Sequence, residues 1–241
     1  GGLPVSGRGI GVIVNDSGVD GTHPDLEFGA NLVQNVAAHA NLNSYSGILP
    51  YTPIEDVPNT DAAGGHGTHV AGIVGGTGMA SQGLYEGVAP GADLIGYGAG
   101  AAVALLDVLS AFDYAIVKQF QYGIRVVTNS WGTTSDAGTD FNPADPINVA
   151  TKKCTDRNIV IVFSAGNSGA SSGTITGNYK KAPWVICVAA GDKQGRLTDF
   201  SSRGRDNVGG TVVVDGQTFR KSNYFYQSYF SYWCIGYPRR Y

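Results

Sequence analysis

Short apolar runs alternate along this chain with stretches of helical period, and that alternation restricts the fold more than any other feature. Residues 10–15, Ile-Gly-Val-Ile-Val-Asn, stay apolar until Asn15-Asp16-Ser17-Gly18, as a strand buried on both faces would. Residues 93–97 follow the turn Val88-Ala89-Pro90-Gly91 and read as the next strand, with residues 126–130, 159–164 and 184–190 as three more. Between them Leu105, Leu109, Phe112, Ile116 and Phe120 recur at helical spacing, so an amphipathic helix is expected over 103–122, ended by Gly123. Ile147, Ala150 and Cys154 mark a second helix, introduced by Pro146. Strands alternating with helices imply right-handed βαβ crossovers and a mainly parallel sheet. Two stretches stand outside the alternation. Residues 36–60 have no period and read as a surface insertion, and residues 212–219, with Asp215-Gly216 between them, read as a small peripheral hairpin.

The chain has 241 residues, enough for one large α/β domain with a sizeable core. Charged residues are 15% and the formal net charge is −3, which gives no reason to expect nucleic acid or an anionic membrane as partner. No apolar run reaches the ~18 residues of a membrane span. Cys154, Cys187 and Cys234 are an odd number at unpatterned spacings and read as small buried hydrophobes. With neither a Met nor a signal-peptide pattern at Gly1-Gly2-Leu3, the chain reads as a processed or excised segment. Its character changes at Lys221: the last 21 residues hold nine aromatics, against 16 in the preceding 220. The expected organisation is one domain over 1–220 and an aromatic tail over 221–241 that is no domain of its own.

Three stretches carry the chemistry. Asp16 ends the first apolar run, and in an open parallel α/β sheet ligands gather outside the carboxyl ends of the strands. A carboxylate there can orient an imidazole and stabilise the imidazolium. His66 stands between glycines in Gly64-Gly65-His66-Gly67-Thr68-His69-Val70-Ala71-Gly72. Read as a metal pair, His66 and His69 need a third ligand that nothing nearby supplies; read as a general base, His66 needs only an orienting acid. Asn167 follows Phe163-Ser164-Ala165-Gly166 and precedes Ser168-Gly169. Its amide can donate to a developing oxyanion, or the stretch can be a plain turn.

In this order the three blocks resemble those of the subtilisin-like serine proteases, over roughly residues 7–204. Asp16-Ser17-Gly18-Val19-Asp20-Gly21-Thr22-His23-Pro24-Asp25-Leu26 is similar to the family's acid block through its His-Pro-Asp-Leu end. The resemblance implies a subtilisin-like α/β fold: a mainly parallel sheet with helices on both faces, incomplete at its C-terminus. It implies Asp16 as the orienting acid, His66 as the base, His69 as a buried helix neighbour and Asn167 as the oxyanion donor. It further implies that Gly98-Ala99-Gly100 and Ser130-Trp131-Gly132 pair with an extended peptide, Trp131 standing where the family often has leucine. A secreted monomer acting on polypeptides, with no cofactor for catalysis, is the corresponding expectation. Calcium is common in the family, and Asp25 matches a carboxylate that ligates it in some members. The loop 76–83 lacks paired oxygen-bearing residues, so structural calcium is an open option of the resemblance with no clear site, and no metal ligand is assigned.

The family's nucleophile lies in a Gly-Thr-Ser-Met-Ala block that this sequence does not contain. Asp199-Phe200-Ser201-Ser202-Arg203-Gly204 matches the block that precedes it, and the usual spacing then points to Ser231. Tyr229-Phe230 and Tyr232-Trp233 do not suit a tight turn into a helix. Two readings follow: a subtilisin-type endopeptidase, or a truncated or decayed relative that keeps the base and oxyanion donor and lacks the serine.

Overall fold

The structure, a computed structural model, describes residues 5–38, 53–61, 64–100, 105–134, 136–205 and 210–221. They fall into two compact units that meet in sequence between Asn129 and Ser130.

The first unit is built on β1 (Gly11–Asp16), every residue of which is buried. It pairs in parallel with β3 (Asp93–Gly98) on one side and β4 (Ile124–Asn129) on the other. Beyond β3 lies β2 (Leu32–Ala37), also parallel. Val12 and Val14 point to one face, where they pack with Leu94 and with Ala71 of helix α1 (His66–Gly75). Asn15 points to the other, its amide donating to Val108 O of helix α2 (Leu105–Val117) at 3.3 Å. Because strand side chains alternate, the two helices cover opposite faces. Val12, Ile13 and Val14 are each at most 6% exposed and contribute roughly 1.5–3 kcal/mol apiece. A helix cap is worth about 1 kcal/mol, so two-faced burial of β1, rather than capping, decides this architecture.

The second unit holds helix α3 (Pro146–Thr155) against the parallel pair β5 (Val160–Ser164) and β6 (Val185–Val188). A 3₁₀ turn, Asn178–Lys181, leads into β6. The antiparallel hairpin of β7 (Gly210–Val214) and β8 (Gln217–Lys221) turns at Asp215 and Gly216, with φ of 49° and 76°. Its Phe219 ring sits 5.5 Å from Trp184, which anchors the hairpin to the unit.

The mainly parallel α/β reading holds, and the differences have physical causes. β2 was not expected: Gln34 and Asn35 break its apolar run, yet both are buried and hydrogen-bonded, Asn35 to Val19 O at 2.8 Å. The insertion read over 36–60 is corrected at both ends, since Val36, Ala37 and Thr60 are buried; residues 39–52 lie outside the described residues. The face expected for α2 is also corrected. Phe112 is buried, but Leu105 is 51% and Phe120 87% exposed, and the buried stripe is Val108, Ala111, Phe112 and Ala115. Cys154 and Cys187 are buried, as read, while Cys234 lies outside the described residues. Among the described residues no helix is long and apolar enough to cross a membrane.

Asp145 opens α3 by accepting the Ile147 N–H at 2.9 Å, and its second oxygen accepts from the Asn178 amide at 2.8 Å. Asp145→Ala removes both bonds and should lower unfolding stability by about 1–2 kcal/mol. Urea unfolding should show this as a lower midpoint at unchanged slope.

Candidate active site

β1 delivers Asp16 to its carboxyl end, and α1 begins with His66 beside it. Asp16 Oδ1 lies 2.5 Å from His66 Nδ1, with the acid 2% and the imidazole 60% exposed. The same oxygen accepts the Ser17 N–H at 2.7 Å. A buried carboxylate needs such donors. By accepting at Nδ1, Asp16 fixes the tautomer whose Nε2 carries the free lone pair.

The pair is held by residues that sequence reasoning missed. Asp61 lies ahead of α1 and accepts the N–H groups of Gly65 and Thr68, both at 3.3 Å, and the Thr68 hydroxyl. A carboxylate at a helix N-terminus satisfies orphan donors and favours the helix dipole. Thr60, next to it, takes the Val19 N–H at 2.9 Å and donates to Asn35 Oδ1 at 2.8 Å. One contact sets the approach of the helix: a Cβ on Gly67 would strike Gly18 O and come within 3.1 Å of Asp16 Cβ. Gly67 N–H donates instead to Ser17 Oγ at 2.9 Å. The available signal was an Asp a few residues before the run of small residues that His66 opens; the glycine of His-Gly-Thr-His has no meaning until the packing is known.

In the second unit, Asn167 sits on the turn after β5 and is exposed, with no side-chain hydrogen bond among the described residues. The turn is tied down around it. Ser202 N–H donates to Gly166 O at 2.9 Å, Ser168 N–H to Ser202 Oγ at 3.0 Å, and Ala165 N–H to Val188 O at 2.8 Å. Ser201 and Ser202 are buried braces here. The Trp131 ring packs inward, 5.3 Å from Phe163 and 5.6 Å from Tyr179. Asp136 joins two loops by accepting from Gly177 N at 2.5 Å, Asn178 N at 3.1 Å and the Thr133 hydroxyl at 2.9 Å.

Other expected residues lie as follows. Gly98 pairs with Asp16 on one side and Ala37 on the other, and its carbonyl accepts from Ala38 N at 3.0 Å; Gly100 follows with φ of 74°. His69, expected as a buried neighbour, is exposed, because it follows His66 at i+3 on the outward side of α1. Asp25 Oδ1 accepts from Ala80 N at 2.7 Å, so this carboxylate already braces the loop expected to accompany it. No group of three His, Cys, Asp or Glu side chains could hold a metal among the described residues. No hydroxyl bonds Nε2 of His66 among the described residues, and Ser231 lies outside them.

A carboxylate-bound imidazole where a parallel strand meets the next helix defines an α/β protein with an acid–base pair. Compared with known proteins, residues 7–234 match the family model described as the subtilase family. Subtilisin BL of Lederbergia lenta is 30% identical over 215 residues, 88% of this chain and 65% of that protein. The CO(2)-response secreted protease of Arabidopsis thaliana is 33% identical over 171 residues, 66% of this chain and 20% of that protein. Among solved structures, Sphericase shares 31% identity at a TM-score of 0.68, covering 87% of this chain and 64% of its own. The chain belongs to the subtilase family. It spans less than two thirds of the length of these relatives. The family match continues past residue 204, where the motif resemblance ends, and takes in Ser231.

Two outcomes are expected. Gly67→Ala should force α1 away from the Asp16 turn at a cost of about 1–3 kcal/mol, and NMR should show loss of the downfield Nδ1–H resonance of a carboxylate-bound imidazole. Asp136 supplies a pH dependence. Burial raises its pKa, but the bonds from Gly177, Thr133 and Asn178, with Lys181 nearby, outweigh that and hold it below its ordinary value. A group depressed in the folded state contributes stability that is complete above the unfolded pKa of ~3.9 and lost as pH falls through the lower folded one. Asp136→Asn should therefore destabilise the protein at neutral pH, and the gap to wild type should close toward about pH 3 in urea titrations.

Proposed function

We propose that this protein is a serine endopeptidase of the subtilisin type, with residues 1–220 as the bulk of its peptidase domain. The observation that carries the reading is the 2.5 Å contact between buried Asp16 and exposed His66. His66 Nε2 takes the proton of a serine hydroxyl as that oxygen attacks the scissile carbonyl, then returns it to the leaving amine. Asp16 holds the tautomer and stabilises the imidazolium between the two transfers. Asn167, exposed and unengaged on a braced turn, donates its amide to the oxyanion. Substrate is an extended polypeptide whose backbone pairs with Ser130, Trp131 and Gly132 and with Gly98 and Gly100, the Gly98 carbonyl being already committed to Ala38.

The chemistry needs no cofactor. The protein acts outside the cell, as the Arabidopsis relative, a secreted protease by name, does, and works as a monomer without nucleic acid or membrane. The nucleophile comes from outside the described residues, with Ser231 the position that spacing offers and that the family match includes. One observation favours the second reading, a silent relative: no Gly-Thr-Ser-Met-Ala block occurs in the sequence.

A fluorophosphonate probe separates the two. In the endopeptidase reading one serine is labelled stoichiometrically and maps by mass spectrometry to Ser231. The rate should fall by at least about 100-fold in His66→Ala, which removes the general base. A folded chain that takes no label is the silent relative.

A further inference from the structure

Lys180 lies in the 3₁₀ turn before β6 and is only 2% exposed. No hydrogen bond reaches its amine among the described residues. Burial pulls its pKa down, while the Cys187 thiol and the Asp136 carboxylate oppose that shift from a distance. Asp136 spends its oxygens on Gly177, Asn178 and Thr133, so it is no contact partner. A buried cation without a hydrogen-bonded counter-charge is costly unless something supplies one.

Two glycines fix where the amine sits. A Cβ on Gly132 would collide with Lys180 Nζ and lie 2.9 Å from its Cε. A Cβ on Gly166 would lie 3.9 Å from Nζ and 3.1 Å from Ser202 Oγ. The cation therefore fills the side-chain space that Gly132 leaves empty and lies at contact distance from that of Gly166. Gly132 is exposed and Gly166 half-buried, which puts the amine one glycine below the surface, on a stem flexible enough to swing outward. Gly132 ends the segment assigned to hold the substrate backbone, and Gly166 immediately precedes the assigned oxyanion donor. The side chain of the residue whose carbonyl is attacked must descend beside these two glycines.

We propose that Lys180 sets specificity, receiving the carboxylate of an aspartate or glutamate at the substrate residue whose carbonyl is attacked. The inference rests on the endopeptidase reading for the position of that carbonyl, and adds the charge of the side chain it takes. A charge-assisted bond to the buried amine discriminates an acid from its amide, because the amide leaves the cation without its counter-charge.

Binding tests this without requiring turnover. N-acetylated pentapeptide amides identical except for Glu, Gln or Phe at one central position are titrated against the 241-residue chain by calorimetry. The Glu peptide should bind at least about tenfold tighter than the Gln peptide. Lys180→Met should erase that difference and strengthen binding of the Phe peptide, and Lys180→Arg should keep the preference for Glu. Equal binding of Glu and Gln peptides by the wild type overturns the inference about Lys180 and leaves the endopeptidase reading standing. A Glu preference that survives in Lys180→Met assigns discrimination to another cation and overturns it too. Binding of none of the peptides counts against the extended-peptide reading itself, and against Lys180 with it. The comparison of Glu and Gln on wild type needs no variant to fold.

Discussion

A carboxylate that is 2% exposed at the end of a strand buried on both faces is the constraint around which the first unit is arranged. Left without donors, such a group would protonate or unfold its surroundings. Two donors answer it, the N–H of Ser17 and the ring nitrogen of His66. The second must arrive on another element, so α1 has to start at one place and at one distance. Gly67 allows that distance, and Asp61 fixes the start by collecting the N–H groups of Gly65 and Thr68. Bringing the second donor to Asp16 therefore dictates where the helix that carries His66 lies.

The second unit solves a related problem with loops. Asn167 is exposed and its side chain makes no hydrogen bond among the described residues. The turn is braced instead through backbone bonds from Ser202 and Ser168 and the pairing of Ala165 with Val188. Asp136 does the same for the segment after Ser130 by bonding three donors from two loops. Ordered loops with open side chains require this division of labour, since an amide held by its neighbours is not free to meet a substrate.

Where one physical signal dominated, the sequence was readable. β1 is apolar because both faces are covered, β5 buries Ile161 and Phe163, α3 follows Pro146, and Asp215-Gly216 supplies the two left-handed residues of a tight hairpin. Asp16 and His66 stood out because their blocks are long and ordered, and the structure brings the two side chains together. β2 was lost because Gln34 and Asn35 look like loop residues until the bonds that bury them are known. The face of α2 was misread because large side chains were taken as the buried ones, whereas Ala111 and Ala115 are buried and Phe120 is not. Thr60 and Asp61 were missed because their partners are Val19, 41 residues away, and backbone groups at the start of α1. Lys180 was invisible for the same reason, being defined by the space that Gly132, 48 residues earlier, leaves open.

Thr60 and Asp61 are adjacent, yet the first clamps the strand-end turn through Val19 and the second receives the amides that open α1. Acid and base are thus fastened to a single two-residue knot, which is itself locked into the core through Asn35. Neither partner can drift without pulling on the other and on the sheet. Warming should consequently leave the pair intact until this half of the chain melts as one cooperative block. The ceiling on its working temperature then belongs to the core beneath β1, and softening of the surface around it would matter little.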